Sequence, residues 1–149
     1  MASLNNLENL SFWEHFNNTA AWNKTHETGY FLQHVRWMLL YERDADLLVT
    51  AYAPEAWFQL KPGASGAIAL ENGPTRFGRV SFRMDILDRG RTVEFTLNAN
   101  WREKPERILV GVPESLQGQN LVSGWKAEWK DGFICLPPGD SVSLKVSSR

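Results

Sequence analysis

Between residues 72 and 99 the hydrophobic and polar positions alternate with a period of two. Val80, Phe82, Met84 and Ile86 share one parity, and Arg79, Ser81, Arg83 and Asp85 the other. Past Asp88-Arg89-Gly90, Val93, Phe95, Leu97 and Ala99 alternate in the same way with Thr92, Glu94, Thr96 and Asn98. Successive side chains leave a strand on opposite sides, so this pattern predicts two strands, each with one buried and one wetted face. The short glycine-containing connection predicts that they pair as an antiparallel hairpin. Asn72-Gly73-Pro74 reads as a turn leading into it.

The first 37 residues follow a different period. Leu4, Leu7, Leu10, Trp13, Phe16 and Ala20 recur at three and four, which predicts an amphipathic helix over 4–20 with Asn9, Glu14 and Asn17 on its polar face. Phe31, Leu32, Val35, Met38 and Leu39 predict a second helix from about Glu27 to Arg36, passing into strand by Met38.

Short strands are then expected at Leu39–Tyr41 and Leu47–Tyr52 around the turn Arg43-Asp44-Ala45-Asp46. Pro54–Phe58 reads as a loop or a single helical turn, and Ala67–Leu70 as a short strand. Beyond the hairpin, Ile108, Val110 and Val112 form a strand that Pro113 ends. Leu121–Trp129 and Phe133–Leu136 form a hairpin through Asp131-Gly132, and Val142, Leu144 and Val146 mark a last strand. Turn signals about every 8–12 residues predict a mainly β fold. The expected architecture is an antiparallel two-sheet β-sandwich, jelly-roll-like, with an N-terminal helical segment. Residues 1–37 form that segment and residues 38–149 the sandwich domain.

Composition removes function classes without altering the picture. The 149 residues suffice for one core, and the net charge of −1 is scattered along the chain. No basic stripe points to nucleic acid, and no basic amphipathic helix points to a membrane surface. Cys135 is the only cysteine, and its neighbours Phe133, Ile134 and Leu136 make it read as a buried hydrophobe. The first residues lack the positive and apolar regions of a signal peptide, so the expectation is a cytoplasmic protein or part of a longer exported one.

His15, His26 and His34 have no metal-ligand spacing, so neither a metal nor a cofactor is expected. Gly73-Pro-Thr-Arg-Phe-Gly78 lacks the Gly-Lys-Ser/Thr ending of a phosphate loop, and a strand rather than a helix follows it. The seven tryptophans remain. If residues 121–129 form one strand, Trp125 and Trp129 share a face, about 13 Å apart. Lys126, Glu128 and Lys130 take the opposite parity, which turns both indoles inward. Trp101 continues the parity of Ala99 to the rim of the core. Trp57 and Phe58, beside Lys61-Pro62-Gly63, are the aromatics least committed to the core.

Several segments resemble one family. Glu27-Thr-Gly-Tyr-Phe-Leu-Gln-His-Val-Arg-Trp-Met-Leu-Leu40, Ala53-Pro-Glu-Ala-Trp57 and Asn72-Gly-Pro-Thr-Arg-Phe-Gly-Arg-Val-Ser-Phe-Arg83, with the later Trp125, resemble bacterial six-hairpin glycosidase-like proteins. In these an (α/α)6 barrel ends in a helix that runs into a C-terminal β-sandwich. The chain departs from the pattern at Gly73, where alanine is usual. It also lacks the barrel, where the family's catalytic carboxylates are expected, so no catalytic residue carries over.

The resemblance implies a non-catalytic accessory module that binds a polysaccharide or oligosaccharide. The candidates are Trp57, Trp101, Trp125 and Trp129, with Arg76 and Glu94 as partners for sugar hydroxyls. Two alternatives stay open. One is a structural domain that once braced a barrel and binds nothing itself, with its helical face free to form a homodimer. The other, ranked last, is a small glycoside hydrolase, for which Glu14, Glu27, Glu55 and Glu94 are the only loose candidates.

Overall fold

The computed structural model describes residues 5–6, 11–12, 25–60 and 64–148, with side chains described from Thr28 onward. The chain divides into two compact units, Met1–Trp37 and Met38–Arg149.

In the first unit two short strands, β1 (Asn5–Asn6) and β2 (Ser11–Phe12), pair antiparallel. At these positions they replace the helix expected over 4–20, the rest of which lies outside the described residues. Asparagine disfavours helix interiors because its amide competes for the backbone, and Asn5, Asn6 and Asn9 crowd this stretch. Helix α1 then spans Thr25–Leu39, three residues beyond the expected end at Arg36. Met38 and Leu39 are good helix formers on the stripe of Val35, and this periodicity wins over the alternation that starts at Trp37.

The second unit consists of two five-stranded sheets. One is antiparallel throughout. Its strands are β5 (Gly66–Thr75), β6 (Gly78–Leu87), β7 (Thr92–Trp101), β9 (Asn120–Ser123) and β12 (Ser141–Ser147), in the order β5-β6-β7-β12-β9. The other contains β3 (Leu40–Arg43), β4 (Asp46–Val49), β8 (Arg107–Val110), β10 (Glu128–Lys130) and β11 (Phe133–Leu136), in the order β10-β11-β8-β4-β3. Its β4 and β8 run parallel, the one exception to the antiparallel arrangement among these strands.

The expected hairpin is β6–β7, with Phe82 opposite Leu97 and Ile86 opposite Val93. It belongs to a three-stranded meander, because β5 is ten residues long rather than four. Asn72-Gly73-Pro74 therefore lies inside a strand. A bulge between Leu70 and Gly73 absorbs it, with Asn72 at φ 52° and its N–H donating to Ser81 Oγ at 2.9 Å. Pro74 is tolerated because β5 is an edge strand. The turn itself falls at Arg76-Phe77. At the other hairpin, Asp131 (φ 49°) and Gly132 (φ 80°) form the connection expected for Asp-Gly.

The two sheets share one core. Val80, Phe82, Met84 and Ile86 of β6, with Val93, Phe95 and Leu97 of β7, meet Leu47 and Val49 of β4, Ile108 and Val110 of β8, and Ile134 and Leu136 of β11. The Phe82 and Phe95 rings lie 6.2 Å apart between centroids, tilted by 33°. A smaller cluster of Leu48, Leu109 and Cys135, with Tyr41, Ala51 and Phe133 against it, occupies the opposite face of the mixed sheet. Strands β4 and β8 are thus apolar on both faces, as parallel neighbours commonly are. On this second face Arg107 donates through Nε (2.9 Å) and Nη2 (2.6 Å) to the buried Asp46, its register partner.

Burial pushes the Cys135 thiol above its ordinary range, and the nearby Arg107 guanidinium offsets part of that rise. The folded chain thus holds this proton more tightly than the unfolded chain. The thiol's contribution to stability is complete below the unfolded pKa, about 8.5, and is lost as pH rises through the raised folded value. The urea midpoint is therefore expected to fall more between about pH 7.5 and 9.5 in the wild type than in Cys135→Ala. Equal slopes in the two proteins would rule out this linkage.

Candidate functional site

The end of the antiparallel sheet where β6 begins and β7 ends gathers half of the candidates, Trp101, Trp125 and Arg76. Gly78 faces Trp101 in the register, and Arg79 faces Asn100. Just beyond, the N–H groups of Arg102 (2.8 Å) and Glu103 (3.1 Å) both donate to the Phe77 carbonyl, which curls the chain over the β5–β6 turn. Arg102 Nη2 donates to the Arg76 carbonyl at 2.7 Å. Between these strand ends lies an open groove of about 360 Å³, lined by Thr75, Arg79, Asn100, Trp101 and Arg102 among others.

Two tryptophans converge on the backbone of Gly139 at this end. Trp101 Nε1 donates to the Gly139 carbonyl at 3.1 Å, which fixes the half-buried indole at the rim. The Trp125 ring also packs against Gly139. A Cβ added there would come within 2.9 Å of Trp125 Cη2 and 3.0 Å of Val142 Cγ2. The Trp125 backbone is held as well. Its N–H donates to Ser123 Oγ at 3.1 Å, and its carbonyl accepts from the Ala127 N–H at 2.8 Å. The side chain nevertheless remains 44% exposed.

That exposure corrects the inward orientation expected for Trp125. Residues 121–129 are not one strand. β9 ends at Ser123 in the antiparallel sheet, and β10 begins at Glu128 in the mixed sheet. The chain passes from one sheet to the other through Gly124 and Trp125, so strand parity does not carry across. Ser123-Gly124 was the sequence signal for this break.

Trp129 does lean on the core, half-buried, and its Nε1 donates to the Gln119 carbonyl at 3.0 Å. It borders a separate groove of about 510 Å³ with Gln119, Asn120 and Glu128. Trp57 closes a 3-10 turn over Glu55–Trp57 and packs half-buried against the core, while Phe58 is fully part of it. The expectation that this pair is the least committed to the core is thereby corrected. Gly90 comes close to the Phe58 carbonyl, which puts this turn by the β6–β7 connection, at the opposite end of the hairpin from Trp101.

The polar candidates also separate. Arg76 is exposed with its guanidinium carbon 4.5 Å from the centroid of the Phe77 ring, at the Trp101 end. Glu94 lies on the wetted face nearer the other end, where its Oε1 accepts from Lys145 Nζ at 2.8 Å. This hydrogen bond, reinforced by the pair's charge, raises the Lys145 pKa. Glu94 is thus held in an ion pair away from the tryptophan cluster. Asn100 and Arg102, which sequence reasoning did not select, line the groove beside Trp101 together with Thr75 and the wetted-face Arg79. Their signal was their position at the strand end next to a rim tryptophan. Among the described residues no cluster of three or more His, Cys, Asp or Glu side chains could hold a metal ion.

Compared with known proteins, the chain matches no family model, no curated protein and no solved structure. What the groove can do must be read from its own chemistry. A fixed indole at the rim, an exposed indole beside it, and exposed guanidinium and amide donors can stack on the C–H face of a sugar ring and hydrogen-bond its substituents.

Proposed function

We propose that this chain is a non-catalytic carbohydrate-binding module, related to the sandwich domains that accompany glycoside hydrolases, and that it holds a polysaccharide at its Trp101–Trp125 end. One observation carries the reading: Trp125 is held at its backbone, rests on the same Gly139 whose carbonyl accepts from Trp101, and still exposes 44% of its surface. An indole fixed in this way loses little conformational freedom on contact, so most of its stacking energy is available for binding. The resemblance to six-hairpin glycosidase-like proteins supplies the ligand class.

Affinity electrophoresis through gels containing glucans, xylans, mannans and polyuronates tests the reading. Retardation by at least one polysaccharide is expected, and Trp125→Ala should raise its Kd by about tenfold or more, the equivalent of about 1.4 kcal/mol. An absence of retardation in every gel overturns the proposal. A second reading, a structural domain that self-associates through its helical segment, draws on α1, where Leu32 is 62% exposed. It predicts a dimer in light scattering that Leu32→Glu disperses, together with no retardation by any polysaccharide.

A further inference from the structure

We infer that the groove beside Trp101 accepts the carboxylate of a uronic acid, so that the polysaccharide bound there is a polyuronate. This rests on the carbohydrate-binding reading and narrows its ligand class. Arg79 and Arg102 both line the groove and both are exposed. Arg79 lies opposite Asn100 in the register, and Arg102 stands just past the end of β7, where its N–H donates to the Phe77 carbonyl. The two arginines thus meet at one groove from the start of β6 and the end of β7. Side chains of this length can bring both guanidinium forks onto one carboxylate, with the Asn100 amide between them.

The electrostatic setting agrees. Among the described residues no carboxylate lines this groove. Of the acids nearby, Asp140 is engaged by Lys104 Nζ at 3.0 Å, Glu42 Oε1 accepts from the Arg76 N–H at 3.1 Å, and the exposed Glu103, next to Arg102, stands outside the lining. Arg102 is steadied through Nη2 on the Arg76 carbonyl, which leaves its other N–H donors for a ligand. The groove at Trp129 has the opposite character, with Glu128 and, among the described residues, no cationic side chain in its lining. The positive groove is thus a local feature of a chain whose net charge is −1. A uronate suits this chemistry. Its carboxylate projects from the ring edge and offers two oxygens to the arginine forks.

The decisive comparison is between polygalacturonate and its methyl ester, which share a backbone and differ in charge, with dextran sulfate as a polyanion lacking carboxylates. Polygalacturonate is expected to retard the protein, and the ester and dextran sulfate to do so at least about tenfold more weakly. Arg79→Gln and Arg102→Gln should each raise the polygalacturonate Kd by about tenfold or more while the circular dichroism stays unchanged. Added salt should weaken the binding.

Equal binding of the ester, equal binding of dextran sulfate, or indifference to both glutamine variants would each overturn the inference. Retardation by a neutral polysaccharide alone, dependent on Trp125, would overturn it and leave the module reading standing. No retardation by any polymer would remove both.

Discussion

Phe95→Ala is expected to destabilise the protein by about 3–5 kcal/mol, the largest single effect among the described side chains. Phe95 has no accessible surface, sits in the middle of β7 and packs against Phe82 across the hairpin. Both of its strand neighbours, β6 and β12, are themselves lined with buried residues at the facing positions, Met84 and Leu144. With support on both sides and a second sheet above, the space left by the ring has little room to collapse. For a chain of this length the loss corresponds to a fall in Tm of roughly 10 °C or more. Thermal denaturation followed by circular dichroism measures it, and a change below about 1 kcal/mol would mean that the sheets do not meet at Phe95.

Gly78→Ala is the second large effect, and it reaches the candidate site as well as the fold. Gly78 has φ 140°, a backbone conformation that L side chains rarely adopt. A Cβ there would lie 2.2 Å from the Asn100 carbonyl oxygen, 2.9 Å from the Arg102 nitrogen and 3.0 Å from Trp101 Cα. All three are backbone atoms, so no side-chain rotation relieves the clash. The start of β6 must part from the end of β7, at a cost of about 3 kcal/mol. Asn100, Trp101 and Arg102 would move with it. The variant should therefore lose polysaccharide affinity at temperatures where it is still folded. Unchanged Tm and unchanged retardation would contradict the close backbone approach at this position.

The alternating segments were the legible part of the fold. At β6, β7 and β12 each inward residue is held on one side by a core and on the other by water, so hydrophobicity alone fixes the parity. The pattern loses meaning where that asymmetry ends. β4 and β8 are apolar on both faces, and their parallel pairing leaves no local mark, because the residues that pair are distant in sequence.

The extension of β5 through Asn72-Gly73-Pro74 was hidden for a different reason. Turn-forming residues also make bulges, and only the partner strand decides between the two. At Trp125 the error came from carrying a period across Ser123-Gly124 after the strand had ended. The candidate site shared that fate. Its tryptophans could be picked from the sequence by type, but their grouping depends on Gly139, which meets Trp101 and Trp125 only after folding.

The parallel β4–β8 pair also sets an order of events in folding. Its two strands are separated along the chain by the whole β5–β6–β7 meander, whose own pairings are local. Local contacts close small loops and form early, whereas β4 must wait for β8 to be delivered by everything in between. The Asp46–Arg107 pair then acts as a late latch on an already formed meander. In kinetic terms, Asp46→Asn should speed unfolding and leave the refolding rate nearly unchanged, whereas Val80→Ala in the meander should slow refolding. Stopped-flow refolding of the two variants distinguishes this order from one in which the mixed sheet nucleates.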